Sequence, residues 1–193
     1  MGVDWLLAGL GNPGAEYAHT RHNVGFWCVR DLAATVGAPW GREARFKAEL
    51  AQGLFAGQRL VLCQPQDFMN RSGGPVQSVA AFYKIPPERI VVVHDDLDLL
   101  PGVARLKFGG GNGGHNGLRD LDRALGTNAY WRLRLGIGHP GHKDRVVAYV
   151  LGKPEPEDRG QIDAAIHRAL SVLSDFLQGR VDAAQQRLHS LES

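Results

Sequence analysis

Polar side chains that can perform hydrolysis occur where strands are expected to end. Asn12 follows the first apolar segment, His22 opens a segment of helical periodicity, and Asp95 closely follows the β-branched run at 90–93. Proteins of the α/β class place their sites at the carboxyl ends of strands, where residues distant in sequence can meet. A carboxylate fixes the tautomer of a neighbouring histidine and stabilises its protonated ring. The pair His22 and Asp95 therefore predicts a general base.

Asparagine side chains complete this expected site. Asn116 follows a glycine-rich loop, Asn70 precedes a short apolar helix, and both are expected to join Asn12. Their amides are uncharged donors that suit a developing oxyanion. The sequence contains no Gly-x-Ser-x-Gly segment and no other clear serine nucleophile, which favours direct attack by water over an acyl-enzyme.

The segment from Gly9 to Gly14 is a literal G-x-G-x-x-G, which makes an NAD-dependent dehydrogenase an alternative. A dinucleotide site needs a helix that starts at the glycines and an acid about 20 residues further on, at the end of a second strand. Pro13 and Gly14 oppose a helix there, and the acid at a suitable distance, Asp31, lies inside the helical segment. The alternative therefore lacks its required context.

Possible metal ligands cluster at three places, but none forms a complete ligand set. The acids alternate along a strand and do not define an octahedral site, while the histidine pairs lack a third ligand. The clusters are Asp95, Asp96 and Asp98; His19 and His22; and His139 and His142. We therefore expect no metal ion at these clusters.

Basic residues in two predicted strands indicate an anion site. Strand alternation places Arg105 and Lys107 on one face, and likewise Arg132 and Arg134, so that two basic pairs can flank one phosphate. The net charge of +2 is too small for a chain coated by nucleic acid, so we expect a local patch. The glycine-rich segment 109–117 predicts a mobile lid or close backbone contact with a ligand. A non-catalytic RNA-binding module remains a second alternative.

Predicted strands and helices alternate, which is typical of an α/β fold with a largely buried sheet. The predicted strands are Trp5–Gly9, Phe46–Leu54, Arg59–Gln64, Ile90–Val93, Val103–Phe108 and Trp131–Ile137. The predicted helices cover His22–Val36, the region of Val76–Tyr83, Leu118–Leu125, Ile162–Leu177 and a short segment near Asp182. The run at 90–93 is expected to be a central strand that is covered on both faces.

Length and composition place the chain among ordinary globular proteins. With 193 residues, of which 44% are hydrophobic and 22% charged, we expect a single domain over 1–193. The apolar runs are too short to span a bilayer, and the N-terminus lacks a basic, signal-like segment, so a cytoplasmic location is expected. Cys28 and Cys63 lie in apolar segments and are predicted to be buried, reduced thiols.

Six segments, in this order, resemble the bacterial-type peptidyl-tRNA hydrolase family. They are Gly9–Tyr17, Thr20–Gly25, Phe68–Gly73, His94–Asp98, Gly113–Asp120 and Gly136–Gly141. The resemblance implies a single-domain α/β hydrolase with a mixed, mostly parallel sheet, which acts as a monomer without a cofactor. It implies hydrolysis of the ester between a peptide and the 3′ ribose of tRNA. Departures from the family pattern, at Gln64, Asp96, Leu100 and Asn112, bear on loop geometry and tRNA contacts.

The resemblance also implies roles for individual residues. His22 corresponds to the catalytic base, which Asp95 orients. Substrate binding, including positioning of water, is assigned to Asn12, Tyr17, Met69, Asn70 and Asn116, with Met69 lining the channel. Lys107 and Arg134 correspond to a clamp for the 5′-phosphate of tRNA.

Overall fold

The computed structural model describes residues 2–190, except for the side chain of Ser190. Its strands are β1 (Trp5–Gly9), β2 (Gly41–Glu43), β3 (Ala48–Phe55), β4 (Gln58–Pro65), β5 (Ile90–Asp96), β6 (Ala104–Phe108) and β7 (Trp131–Gly136). Its helices are α1 (Val24–Val36), α2 (Gly73–Phe82), α3 (Asn116–Leu125), α4 (Val146–Val150), α5 (Pro156–Leu177) and α6 (Val181–Ser190). Within residues 2–190, no helix is both long and apolar enough to cross a membrane.

The strands form one seven-stranded mixed sheet in the order β2-β3-β4-β1-β5-β7-β6. β1 pairs in parallel with β4 and β5, and β5 pairs in parallel with β7. The antiparallel pairs are β2 with β3, β3 with β4, and β6 with β7, so only β3 and β6 run against the other strands. The predicted α/β fold with a mixed, mostly parallel sheet is confirmed.

Helices cover both faces of the sheet, and β5 shows why the sequence requires this. Val91 and Val93 pack into the core on the side of α1 and α5, whereas Ile90 and Val92 pack on the side of α2 and α3. All four of these side chains are buried. A strand that is apolar on both faces needs cover on both, which leaves the strand ends as the place for polar residues.

Two glycines, Gly9 at the end of β1 and Gly25 near the start of α1, allow close packing of the helix on the sheet. A Cβ at Gly9 would lie 2.2 Å from the carbonyl oxygen of Gly25, and one at Gly25 would lie 2.4 Å from that of Val93. Only glycine therefore lets the start of α1 lie directly against β1 and β5. The helix begins at Val24 after a 3₁₀ turn at Arg21–Asn23, not at the G-x-G-x-x-G segment.

The sequence patterns predict neither β2 nor α4, and both of these elements are short. β2 has three residues, and α4 is a helix of five residues within a run rich in β-branched side chains. Neither is long enough to show a period. Cys28 and Cys63 are free and buried as predicted, and burial raises the pKa of the Cys28 thiol to about 12.

Candidate active site

A cavity of about 570 Å³ lies at the carboxyl ends of β1 and β5. It collects side chains from the 3₁₀ turn before α1, the segment before α2, the end of β5, and the glycine-rich loop before α3. Among the predicted site residues, His22, Asp95, Asn12, Met69, Asn70, Asn116, Lys107 and Arg134 line it. Tyr17 does not, and its predicted role in substrate binding stays a prediction.

At the centre of the cavity, one carboxylate bridges two histidines. His22 Nδ1 lies 2.7 Å from Asp95 Oδ2, and His115 Nε2 lies 2.8 Å from Asp95 Oδ1. Asp95 is 3% exposed, so both bonds are shielded from water. Since an ionised carboxylate only accepts, both ring nitrogens donate, and His22 keeps Nε2 as its proton-accepting atom.

The tautomer of His115 is set by α3. His115 is the N-cap residue of this helix, and its Nδ1 accepts the backbone N–H groups of Gly117 and Leu118 at 3.1 and 3.3 Å. An atom that accepts these bonds carries no proton, so the ring proton lies on Nε2, facing Asp95. The helix N-terminus thereby fixes the second donor to the carboxylate.

The two partners of this ion pair have shifted pKa values. Burial would lower the pKa of His22, but the charge of Asp95 and the hydrogen bond to it outweigh burial and raise it above the ordinary value. Burial would raise the pKa of Asp95, yet the two histidines hold it far below its usual range. Asp95 is therefore an anion at any working pH, whereas His22 titrates above the ordinary pKa of histidine.

A third histidine, His94, lies against this group. Its Nδ1 donates to the backbone carbonyl of Asp95 at 2.8 Å, and its ring packs edge-on against His115 with centroids 5.2 Å apart. Burial and the proximity of His115 lower the pKa of His94 to about 4. The ring is therefore neutral at neutral pH and adds no positive charge beside Asp95.

Asn12 is held so that its amide nitrogen is left for a ligand. Its backbone N–H donates to Asn23 Oδ1, and its backbone carbonyl accepts from Asn23 Nδ2. Its side-chain oxygen accepts the backbone N–H of Met69 at 2.7 Å. Within residues 2–190 the NH₂ group has no hydrogen-bond partner, which makes it a fixed donor at the cavity wall.

Two more amides lie at the mouth of the cavity. Asn70 is in the 3₁₀ turn before α2, and Asn116 is the first residue of α3. Both are exposed, and neither side chain bonds to another group in the described part of the chain. They are therefore available to a ligand that enters from outside.

The basic residues divide into two kinds. Arg132 is 2% exposed and donates to the carbonyl oxygens of Gly110 and Gly111, so it braces the glycine-rich loop. Arg132 also lines the cavity, and its predicted part in flanking a phosphate stays a prediction. Arg134 is half-buried and bound to Asp96 at 2.7 Å, while Lys107 is exposed at the cavity edge.

One wall of the cavity is apolar and comes from α4 and the residue after it. Val146, Val147, Val150 and Leu151 line this wall. α4 is tied to the turn that carries His22, because the buried Arg21 donates to the Tyr149 carbonyl at 2.9 Å. Its guanidinium also lies 3.9 Å from the centre of the Tyr149 ring.

His22, Asp95 and His115 also bring possible ligand atoms within 4.8 Å of one another. At 2.7 and 2.8 Å, however, both histidines are at hydrogen-bond distance from Asp95, which leaves no space for an ion between them. Their atoms are engaged as donors, whereas a metal ligand must offer a lone pair. The geometry fits a proton-transfer group better than a metal site.

Sequence reasoning found His22 and Asp95 but missed His115 and His94. His115 lies beside Asn116 in one of the motif segments, and His94 beside Asp95 in another. The available signal for His115 was its position three residues before the predicted helix Leu118–Leu125, close to where a side-chain acceptor caps backbone N–H groups.

Comparisons with known proteins identify the family of this chain. A family model for peptidyl-tRNA hydrolase matches residues 6–193. A peptidyl-tRNA hydrolase of Acidithiobacillus ferrooxidans is 67% identical over 97% of this chain and 100% of its own length. One of Neisseria meningitidis is 50% identical over 96% of each chain. The crystal structure of peptidyl-tRNA hydrolase from Acinetobacter baumannii has a TM-score of 0.93 at 45% identity, covering 97% of this chain and 96% of that one. The chain therefore belongs to the peptidyl-tRNA hydrolase family.

Proposed function

We propose that this protein hydrolyses the ester between a peptide and the 3′ ribose of tRNA, with His22 as general base. The observation that carries the mechanism is the bond of 2.7 Å between His22 Nδ1 and Asp95, which leaves Nε2 as the acceptor at the cavity. Peptidyl-tRNA hydrolysis is the activity named by the family and by the relatives.

In the first step, His22 Nε2 takes a proton from water while the water oxygen attacks the ester carbonyl. The resulting imidazolium is stabilised by Asp95. Negative charge on the carbonyl oxygen is received by the NH₂ group of Asn12, which is already oriented by its bond to the Met69 backbone. Collapse of the tetrahedral intermediate breaks the bond to the ribose oxygen, which takes the proton back from His22.

Other residues hold the two ends of the substrate. We assign the peptidyl end to Met69, Asn70 and Asn116, whose positions along the cavity support this assignment, and to Tyr17 on the resemblance alone. Lys107 and Arg134 are assigned to the tRNA 5′-phosphate, which is supported by the charge of both side chains at the cavity.

Neither alternative function gains support. Two of the three glycines that suggested a dehydrogenase, Gly9 and Gly11, lie against α1, and no helix opens at this segment toward a pyrophosphate. A binding module that uses His22 only structurally does not require an oriented imidazole at a cavity, and the relatives are named as hydrolases.

We further propose that residues 1–193 form one domain that acts in the cytoplasm as a monomer, with peptidyl-tRNA as its partner and without a cofactor. The continuous sheet supports the single domain, although Met1 and residues 191–193 of that prediction lie outside the described residues.

The test is hydrolysis of an N-blocked aminoacyl-tRNA, measured with and without a chelator. We expect release of the blocked amino acid in both cases, and a loss of about 10²- to 10⁴-fold in kcat for His22→Ala with an unchanged circular dichroism spectrum. His19→Ala is the matched control, because His19 is exposed and does not line the cavity. Near-normal turnover by His22→Ala contradicts the proposed base, and release that requires metal contradicts the metal-free mechanism.

A further inference from the structure

The arrangement around Asp95 contains more than a base and its orienting acid, because the carboxylate is shared. Asp95 Oδ2 accepts from His22 at 2.7 Å and Oδ1 accepts from His115 at 2.8 Å. Both histidine side chains are nearly buried, with 13% and 10% of their surfaces exposed. We propose that His115 is a positioning residue that sets the basicity of His22 by drawing on the same carboxylate charge.

The physical reason is that His22 and His115 compete for the single negative charge of Asp95. A buried carboxylate that faces a single imidazole strongly favours the protonated form of that ring. A second N–H donor on the other oxygen stabilises the carboxylate and weakens its hold on the His22 proton. His115 therefore limits the rise in the pKa of His22 and increases the fraction of the neutral ring, which accepts a proton from water.

Backbone N–H groups at the start of α3 make His115 a hydrogen-bond donor to Asp95. Its Nδ1 is occupied by the N–H groups of Gly117 and Leu118 at the start of α3, so its ring proton must lie on the atom that faces Asp95. The ring is also packed between two others, with centroids 5.1 Å from His22 and 5.2 Å from His94. Rotation of the ring away from Asp95 would break all of these contacts.

Other charged or titratable groups near His22 do not supply the same effect. Those on the elements packed around it are Asp95, Asp96 and His94 on β5, Cys28, Arg30 and Asp31 on α1, Arg21 on its own turn, Tyr149 on α4 and His115 before α3. Asp96 is bound to Arg134, Arg21 lies over the Tyr149 ring, and His94 is held neutral by burial. The charge that acts on His22 is that of Asp95.

This inference rests on the proposed function, so its test is separate from turnover. The pKa of His22 is measured by NMR titration of the intact protein with labelled histidine, and its resonance is assigned from the spectrum of His22→Ala. His115→Asn and His115→Ser can still cap α3 but are too short to reach Asp95. His115→Gln is the matched control, because its amide nitrogen can replace the Nε2–H donor.

We expect His115→Asn and His115→Ser each to raise the pKa of His22 by about one unit, as expected for loss of one hydrogen bond to a charged group. The acid limb of the kcat/KM profile should move upward by the same amount, while His115→Gln stays close to the parent protein. A role limited to capping or packing does not move the His22 pKa in this direction.

An unchanged or lowered pKa of His22 in the Asn and Ser variants overturns the inference. So does a Gln variant whose pKa moves as far as theirs. If the Asn variant fails to fold, the Ser variant gives the same measurement with a different cap. If His22→Ala retains activity, the proposed role of His22 as general base fails, but the NMR titration still decides whether His115 acts on Asp95.

Discussion

Two parts of the cavity differ in how enclosed their charged groups are. The floor, defined here as His22, Asp95, His115, His94 and Asn12, is buried or nearly so, and its bonds have fixed partners. The rim is defined as Lys107, Arg134 and Asp96: Lys107 is exposed and has no partner within the described residues, while the half-buried Arg134 is paired with Asp96. β5 contributes adjacent carboxylates to both, Asp95 to the floor and Asp96 to the rim.

This difference shows how the end of β5 can serve both the reaction and the recognition of the substrate. Charges in a buried site interact strongly and are little affected by salt, whereas exposed charges are screened. Floor residues should therefore control kcat and its pH dependence. Rim residues should control the apparent affinity for a polyanionic substrate, in a salt-dependent way.

The largest expected effect separates the two adjacent carboxylates. An amide at position 95 can accept from only one histidine and must face the other N–H with its own NH₂ group. We expect Asp95→Asn to lower kcat by about 10²- to 10⁴-fold, because the base loses its orientation and its counter-charge. Asp96→Asn should have a much smaller effect that depends on salt. Equal losses of kcat in the two variants, measured on N-blocked aminoacyl-tRNA, contradict the division into floor and rim.

The next effect concerns the oxyanion donor. Asn12→Asp keeps the oxygen that accepts the Met69 N–H but removes the NH₂ donor, whereas Asn12→Ala removes both. We expect each to lower kcat by about 10²- to 10³-fold, which is typical of the loss of one oxyanion donor. Steady-state kinetics at saturating substrate measures this. If Asn12→Asp stays active while Asn12→Ala does not, Asn12 serves only to hold the Met69 segment.

The pH dependence of kcat/KM should be set by a floor residue, His22. The pKa of His22 is raised, and hydrolysis needs the neutral ring, so kcat/KM should fall about tenfold per pH unit once the pH drops below that raised pKa. Removal of the counter-charge in Asp95→Asn should move this acid limb to lower pH. The residual activity of Asp95→Asn, measured over the same pH range, shows in which direction the acid limb moves. A shift of the limb to higher pH would falsify its assignment to His22.

The smallest expected effects belong to the rim. Lys107→Ala and Arg134→Ala should raise KM for full-length tRNA substrates several-fold, make the salt dependence less steep, and spare short peptidyl-nucleotide fragments. Lys153→Ala is the matched control, since this exposed lysine does not line the cavity. Equal losses on full-length and short substrates argue against a phosphate clamp.

How far sequence reasoning reaches differs between β5 and α4. The β-branched run of β5 followed by acids predicts a covered central strand with polar groups at its end, and the structure has both. α4 has a similar β-branched composition but forms a short helix, held through the bond from Arg21 to the Tyr149 carbonyl. A contact between residues so distant in sequence leaves no local pattern.

The sequence by itself determined the order of the main elements, the family, and the candidate pair His22 and Asp95, because periodicity and motif spacing are local properties of the chain. The tertiary structure alone decided that His115 shares Asp95 and that Arg132 braces the glycine-rich loop. Hydrogen bonds require placement within a few tenths of an ångström. Strand alternation decides the face on which a side chain lies, but only the folded chain decides which loop covers that face.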